Sequence, residues 1–120
     1  MYSNKPYKRS ERMSDEIQHI MGEVFISDFN IPNVGLLTVS KVEITSDLRL
    51  AKIFISLLNS KLSSDKVIDY LKENRKVIRY HLGKRLNAKY VPDVRFYYDD
   101  SLKKAEKIGT LLNNIKIDSK

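Results

Sequence analysis

The 120-residue sequence predicts one α+β domain in which a three-stranded sheet packs against helices. Apolar residues recur at helical spacing in long stretches and alternate in three short stretches, which predicts both kinds of element. The chain length fits a single core. We therefore expect one domain over residues 1–120, in which residues 1–8 form a flexible basic arm and residues 9–116 are folded.

The first half of the chain predicts a helix followed by a hairpin. A helix over about Ser10–Phe29 places its apolar side chains on one face, and Pro32 ends it. Strands follow over Leu37–Ile44 and Leu50–Leu58, joined by a polar turn that is short enough for a hairpin. The alternation of the first strand changes phase near its middle, which predicts a bulge or burial on both faces.

The second half predicts a kinked helix, a strand and a last helix. An apolar helical stripe runs over about Ser64–Asn87, and its gap at Asn74 and Arg75 predicts a kink or a division into two helices. A third strand is predicted over Asp93–Tyr98, and an amphipathic helix from about Ser101. The predicted order is α-β-β-α-(kink)-α-β plus a C-terminal helix.

The positive charge is concentrated in two parts of the sequence. The whole chain carries a formal charge of +7, and residues 66–95 hold nine Lys or Arg against three acids. Residues 1–12 hold four basic residues against one acid. Such segregation is typical of a surface that binds a polyanion. A solvated basic face on a soluble protein is the alternative.

The candidate RNA-binding residues are the cations of these two parts. On a helical wheel, those over residues 72–79 cluster beside the apolar face, and Gly83 leaves room there for a phosphate backbone. A-form RNA is recognised largely through phosphates and shape, so many cations are expected. The predicted RNA-binding residues are Lys5, Lys8, Arg9, Arg12, Lys72, Arg75, Lys76, Arg79, Lys84 and Arg85.

The sequence lacks the residue patterns of the common catalytic and metal sites. It has no cysteine, and its two histidines, His19 and His81, are far apart. No glycine-rich phosphate loop is present. We therefore predict no enzyme activity, no catalytic residue, no metal and no cofactor. No apolar run is long enough for a membrane span, and we expect a soluble, unprocessed cytoplasmic protein.

Three sequence motifs together resemble the bacterial ribosome-binding factor A family. Val42–Ile53 resembles the stretch in which a strand ends in a Ser/Asp turn and resumes at an alanine. Ile78–Leu86 resembles the Ile-Arg, then Leu-Gly, helix of that family. The family pattern Pro-x-x-x-Phe-x-x-Asp-x-Ser is matched by Pro92, Phe96, Asp99 and Ser101. Each motif is weak by itself, but their order and spacing over residues 9 to about 115 are specific.

The resemblance implies a KH-like fold of the second type and a role in ribosome assembly. Members of the family bind free small ribosomal subunits at 16S rRNA and support subunit maturation and rRNA processing, most of all in the cold. The resemblance implies no catalysis, and nothing in the sequence requires more than a monomer. The alternatives are a small basic protein-interaction module and a translation regulator that binds messenger RNA.

The sequence departs from the family at the predicted kink. RNA-gripping KH domains carry a Gly-x-x-Gly loop between their helices, and the family tends to have Ala-x-Gly there. This chain has neither glycine motif: the matching positions read Asn74, Arg75 and Lys76. An asparagine tolerates unusual backbone angles and forms local hydrogen bonds, so we predict a milder kink, or one with different support.

Overall fold

A computed structural model describes residues 9–101 of the chain. The first helix, α1, continues directly into a π-helical turn. The elements are α1 (Arg9–Glu23), the π-helical turn (Val24–Asp28), β1 (Leu36–Ile44), β2 (Leu50–Leu58), α2 (Ser64–Glu73), α3 (Arg75–Arg85) and β3 (Asp93–Tyr98). The predicted basic arm and the predicted helix after Ser101 lie outside the described residues.

The three strands form one sheet with the order β1-β2-β3. β1 and β2 pair antiparallel as the predicted hairpin, whereas β2 and β3 pair parallel. Parallel neighbours need a long crossover, and α2 and α3 provide it. The predicted α+β class is thereby confirmed. The register of the hairpin shifts between Val39 and Lys41, so the phase change seen in the sequence is a β-bulge at Ser40.

The core lies between one face of the sheet and the helices. Along the central strand β2, every second side chain from Ala51 to Leu57 is buried. Burying a large aliphatic or aromatic side chain stabilises the fold by roughly 1.5–3 kcal/mol, so these contacts dominate the energetics. The helices and the residues that end them supply the opposing buried side chains Ile17, Ile20, Met21, Val24, Phe25, Val67, Leu71, Ile78, Leu82 and Leu86. Within the sheet, β3 adds the buried Val94 and Phe96.

The first helix changes its geometry before it ends. The prediction extended one α-helix to Phe29, but the α-helical part ends at Glu23 and the next five residues form a π-helical turn. The backbone N–H of Phe29 donates to the carbonyl of Val24 at 2.7 Å, which is the i to i+5 bond of this geometry. Val24 remains buried in the core, while Asp28 contacts α3.

The predicted kink is present and consists of one residue. Asn74 separates α2 from α3 with φ −103° and ψ 17°, outside the α-helical region. Its side-chain Nδ2 donates to the carbonyl of Tyr70 at 2.8 Å, and the Asn74 backbone N–H donates to the same carbonyl at 3.1 Å. The asparagine side chain thus supports the kink here. At the other end of α2, the Ser63 hydroxyl caps the helix by accepting from the Lys66 backbone N–H at 3.2 Å.

Asp99 connects the end of β3 to the bulge of β1. Its carboxylate accepts a hydrogen bond from the Ser40 hydroxyl at 2.7 Å and one from the Ser101 backbone N–H at 3.0 Å. Hydrogen bonds from Ser101 and then from Ser40 lower the pKa of Asp99 to about 2. The charged form of this carboxylate therefore stabilises the fold.

The pKa of Asp99 predicts a pH-dependent contribution to stability. A carboxyl whose folded pKa is below its unfolded value of 3.8 stabilises the fold above that value, and the contribution is lost as the pH falls through about 2. We expect Asp99→Asn to unfold at a lower temperature than the natural chain near neutral pH. The difference in unfolding temperature between the two proteins should shrink as the pH falls from about 4 towards 2. Thermal unfolding followed by circular dichroism measures it.

The matched control is Asp69→Asn, which removes the same charge from an exposed position in α2. The difference in unfolding temperature between this control and the natural chain should not shrink over the pH range in which Asp99 titrates. A difference between Asp99→Asn and the natural chain that stayed constant with pH would contradict the role of the charged form.

Two glycines predict opposite effects on stability. Gly35 has a φ of +64°, and a Cβ there would lie 2.6 Å from the Asn59 carbonyl oxygen and still closer to Leu58. Gly22 lies within α1 and has nothing within 4 Å of a built Cβ. In chemical denaturation, Gly35→Ala should lower the free energy of unfolding by about 2 kcal/mol. Gly22→Ala should raise it by about 0.5 kcal/mol, because alanine is the better helix former. Equal effects at the two sites would refute this account.

Candidate nucleic-acid interface

The second helix of the kinked pair, α3, carries five cations and no acid. Ile78 and Leu82 are fully buried and define its inward face. At 100° per residue, Tyr80 lies on the opposite side of the helix. The cations of α3 lie in three places. Two groups flank the core face, one on each side, and a third group lies on the outward face between these flanks.

One flank fastens the connection between α3 and β3. The Arg79 guanidinium donates to the Val91 carbonyl at 2.7 Å through Nη2 and to the Pro92 carbonyl at 3.2 Å through Nε. One turn earlier, Arg75 Nε lies 3.7 Å from Asp93 Oδ1. These two predicted RNA-binding residues therefore have partners within the protein.

The other flank connects α3 to the π-helical turn. Arg85 binds both carboxylate oxygens of Asp28, at 2.8 and 3.1 Å, and lies 3.6 Å from Glu23. His81 Nδ1 lies 3.9 Å from the same Asp28 carboxylate. The hydrogen bond between Arg85 and Asp28 lowers the pKa of Asp28 and raises the pKa of Arg85. Arg85 is therefore also engaged within the fold.

Three lysines remain on the outward side of the helix pair, and we call them the lysine ridge: Lys72 in α2, and Lys76 and Lys84 in α3. All three are exposed. Within residues 9–101 none of them forms an ion pair, although Lys84 Nζ lies 5.3 Å from the Tyr80 ring centroid. These ammonium groups can therefore meet an external anion without first breaking a salt bridge.

The N-terminal candidates are not brought to this ridge by any described bond. Arg9 and Arg12 are exposed in the first turns of α1, and no hydrogen bond or ion pair among the described residues joins them to α3. Lys5 and Lys8 lie outside the described residues. The ten predicted cations thus fall into three groups. These are the lysine ridge, the arginines of α3 that bind other parts of the protein (Arg75, Arg79 and Arg85, which we call the braced arginines), and the N-terminal group.

Comparison with known proteins identifies the family. Residues 9–112 match the ribosome-binding factor A family. This chain belongs to that family. A relative from Bdellovibrio bacteriovorus, named ribosome-binding factor A, is 32% identical over 94% of this chain and 84% of its own length. The resemblance seen in the sequence motifs is therefore confirmed.

Solved structures of the family share the fold. The crystal structure of ribosome-binding factor A from Thermus thermophilus has a TM-score of 0.63 over 74% of this chain and 94% of its own, at 16% identity. A Thermus thermophilus homology model fitted into a cryo-electron microscopy map of a 30S complex has a TM-score of 0.62. It covers 72% of this chain and 91% of its own, at 15% identity. At these identities, both comparisons support the fold alone.

One family motif has a packing role that differs from the expectation. A Cβ at Gly83 would lie 3.2 Å from Cγ2 of Val91, so this side of the helix faces the connection to β3. The expectation that the gap admits a phosphate backbone is therefore wrong. The missing side chain lets the connection approach α3, where Arg79 also binds it.

The sequence did not predict which acids bind the arginines of α3. Asp28 and Arg85 are 57 residues apart, and a sequence shows no local signal for a pair at that separation. Asp28 contacts α3 because the π-helical turn places it there. A surplus of cations is visible in a sequence, whereas the partners that engage some of them depend on the tertiary fold.

One open groove is lined by three acidic side chains. It has a volume of about 640 Å³ and lies open between α1 and the β1–β2 hairpin, where Glu11, Asp15 and Glu43 line it. Lys41 lowers the pKa of Glu43, which is the opposite of what a proton donor at neutral pH needs. Residues 9–101 contain no cluster of three possible metal ligands and no helix that could span a membrane.

The division between braced arginines and free lysines predicts different effects on stability. We expect Arg79→Ala to lower the free energy of unfolding by about 1 kcal/mol, because two backbone carbonyls lose their donor. Lys76→Ala, three residues earlier on the same helix, should change it by less than about 0.5 kcal/mol. Urea denaturation of both variants tests this, and a Lys76→Ala variant as unstable as Arg79→Ala would contradict the division.

Proposed function

We propose that this member of the ribosome-binding factor A family binds the small ribosomal subunit at its 16S rRNA. The proposed role is the maturation of that subunit and the processing of its rRNA. The family name and the fitted 30S complex of the Thermus thermophilus protein support this partner. The observation that carries the proposal is the lysine ridge, because three exposed ammonium groups without ion pairs in the described chain lie on a helix pair whose second helix has no acid.

The proposed mechanism is neutralisation of phosphates. Each lysine that contacts an RNA phosphate releases condensed counterions, so affinity rests on the number of contacts and falls steeply with salt. Lysine suits this task as a compact charge on a flexible stem that adapts to the backbone of structured RNA. The ridge residues Lys72, Lys76 and Lys84 would make the main contacts.

The remaining predicted cations have supporting roles in this proposal. Arg75 and Arg79 hold α3 to β3 and to the connection before it, Arg85 holds it to the π-helical turn, and all three add positive potential on the flanks of α3. A guanidinium that already binds a carbonyl or carboxylate still presents further N–H donors, so the arginines can add contacts with phosphates. The N-terminal cations Lys5, Lys8, Arg9 and Arg12 would extend the same contact.

We propose further that the protein acts without catalysis and without a cofactor, as a monomer in the cytoplasm. Binding of the subunit would itself favour a maturing conformation of the rRNA, because a ligand shifts an equilibrium towards the state that it binds better. The need for such a factor would be greatest in the cold.

Neutralising the ridge tests this proposal. We expect the triple variant Lys72→Gln, Lys76→Gln, Lys84→Gln to lose co-sedimentation with free small subunits in a sucrose gradient. In a titration against salt, the slope of log affinity against log salt should fall by about three, which is about one for each lost phosphate contact. All three side chains are exposed, so thermal unfolding should stay near that of the natural chain.

The matched control neutralises three lysines away from the helix pair: Lys41, Lys52 and Lys61. It removes the same net charge, so any general effect of charge appears in both triples. Equal loss of binding in the two triples would contradict a role of the ridge. A natural chain that stays at the top of the gradient would refute the ribosomal partner, and would favour an acidic protein or a messenger RNA as the partner.

A further inference from the structure

We propose that Tyr80 is a base-stacking residue at the centre of the lysine ridge. An unpaired RNA base would stack on its ring while Lys76 and Lys84 contact the neighbouring phosphates. The inference rests on the proposed function, because it assigns a residue within the same RNA-binding surface. It adds contact with a base to a surface otherwise built for phosphates.

The position of Tyr80 gives the first argument. The side chain is 62% exposed and points away from the buried Ile78 and Leu82, so the ring contributes nothing to the core. Val77, one turn earlier, is 47% exposed. The two side chains form an apolar spot on a helix whose other outward residues are cations. Proteins that bind single-stranded RNA use exposed aromatic rings among cations in this way.

The charges around the ring give the second argument. Lys84 Nζ lies over the ring in a cation–π contact, 5.3 Å from its centroid, so a base would stack on the other face. Lys76 precedes Tyr80 by one helical turn. The acids that contact α3, which are Asp28, Glu23 and Asp93, bind the arginines on its flanks. The acid Glu73 is the last residue of α2, so it precedes the kink and is not part of α3. Phosphates on both sides of a stacked base would therefore meet lysines.

The chemistry of the partner follows from these two arguments. A base presents a π-face to the tyrosine ring and carries a negative phosphate on each side, which matches an aromatic residue between two lysines. Stacking of this kind changes affinity by about tenfold or more when the ring is removed. It requires an unpaired base, because a base within an A-form helix has no free face.

A fluorescence experiment tests stacking directly. The chain contains no tryptophan, so Tyr80→Trp in the full-length protein provides a single indole at this position. We expect a single-stranded adenylate oligoribonucleotide to quench its emission. An abasic ribose-phosphate oligomer of the same length should bind through the lysines and leave the emission nearly unchanged. Equal quenching by the two oligomers, or binding of the adenylate oligomer without quenching, would overturn the proposal.

Subunit binding by point variants gives the second readout. Tyr80→Ala should weaken binding to free small subunits by about tenfold, while Tyr80→Phe should bind like the natural chain, because stacking uses the ring. The control is Tyr90→Ala: Tyr90 is 74% exposed with Lys89 Nζ 5.5 Å from its ring centroid, but it lies outside α3. Equal losses at Tyr80 and Tyr90 would overturn the assignment of Tyr80.

The outcomes separate this inference from the proposed function. If the natural chain and Tyr80→Ala bind small subunits equally, the stacking role is wrong and the ribosomal partner stands. If the natural chain does not bind small subunits, the proposed function is wrong, and the fluorescence experiment decides whether Tyr80 stacks on bases in other RNA. Thermal unfolding of Tyr80→Ala should match that of the natural chain, since the ring lies outside the core.

Discussion

Burial of the central strand β2 (Leu50–Leu58) is the constraint on which the rest of the structure depends. One face of β2 is fully covered by helices, and both its edges are paired, antiparallel with β1 and parallel with β3. The parallel pairing requires a crossover, and α2 and α3 form it. The position of the basic helix pair on the sheet therefore follows from the apolar alternation of one strand.

Within α3 (Arg75–Arg85), the two kinds of cation have different surroundings. Its three arginines bind carbonyl or carboxylate oxygens of other elements, which suits a planar group with several donors in a fixed geometry. The lysines at positions 76 and 84 are exposed and form no ion pair in the described part of the chain. Bracing through guanidinium groups keeps the helix fixed while the ammonium groups remain available to phosphates.

The kink shows how a different residue can fulfil a conformational requirement. Asn74 takes φ −103° and ψ 17°, a negative φ that does not require a glycine, and it donates its side-chain amide to the Tyr70 carbonyl. The sequence predicted this break because the apolar stripe is interrupted there. A change of phase in β1 likewise predicted a bulge or burial on both faces, and the structure has the bulge. Each of these signals lies within a few neighbouring residues.

The sequence by itself determined the α+β class, the order of the helices and strands over residues 9–101, the family and the concentration of cations between residues 66 and 95. These depend on local periodicity, turn residues and composition, which are readable along the chain. Only the tertiary structure decided which cations are engaged, that Gly83 packs against Val91, and that Asp28 reaches Arg85 from a π-helical turn. Such contacts join residues distant in sequence, and they form only once burial of the core has fixed how the elements pack.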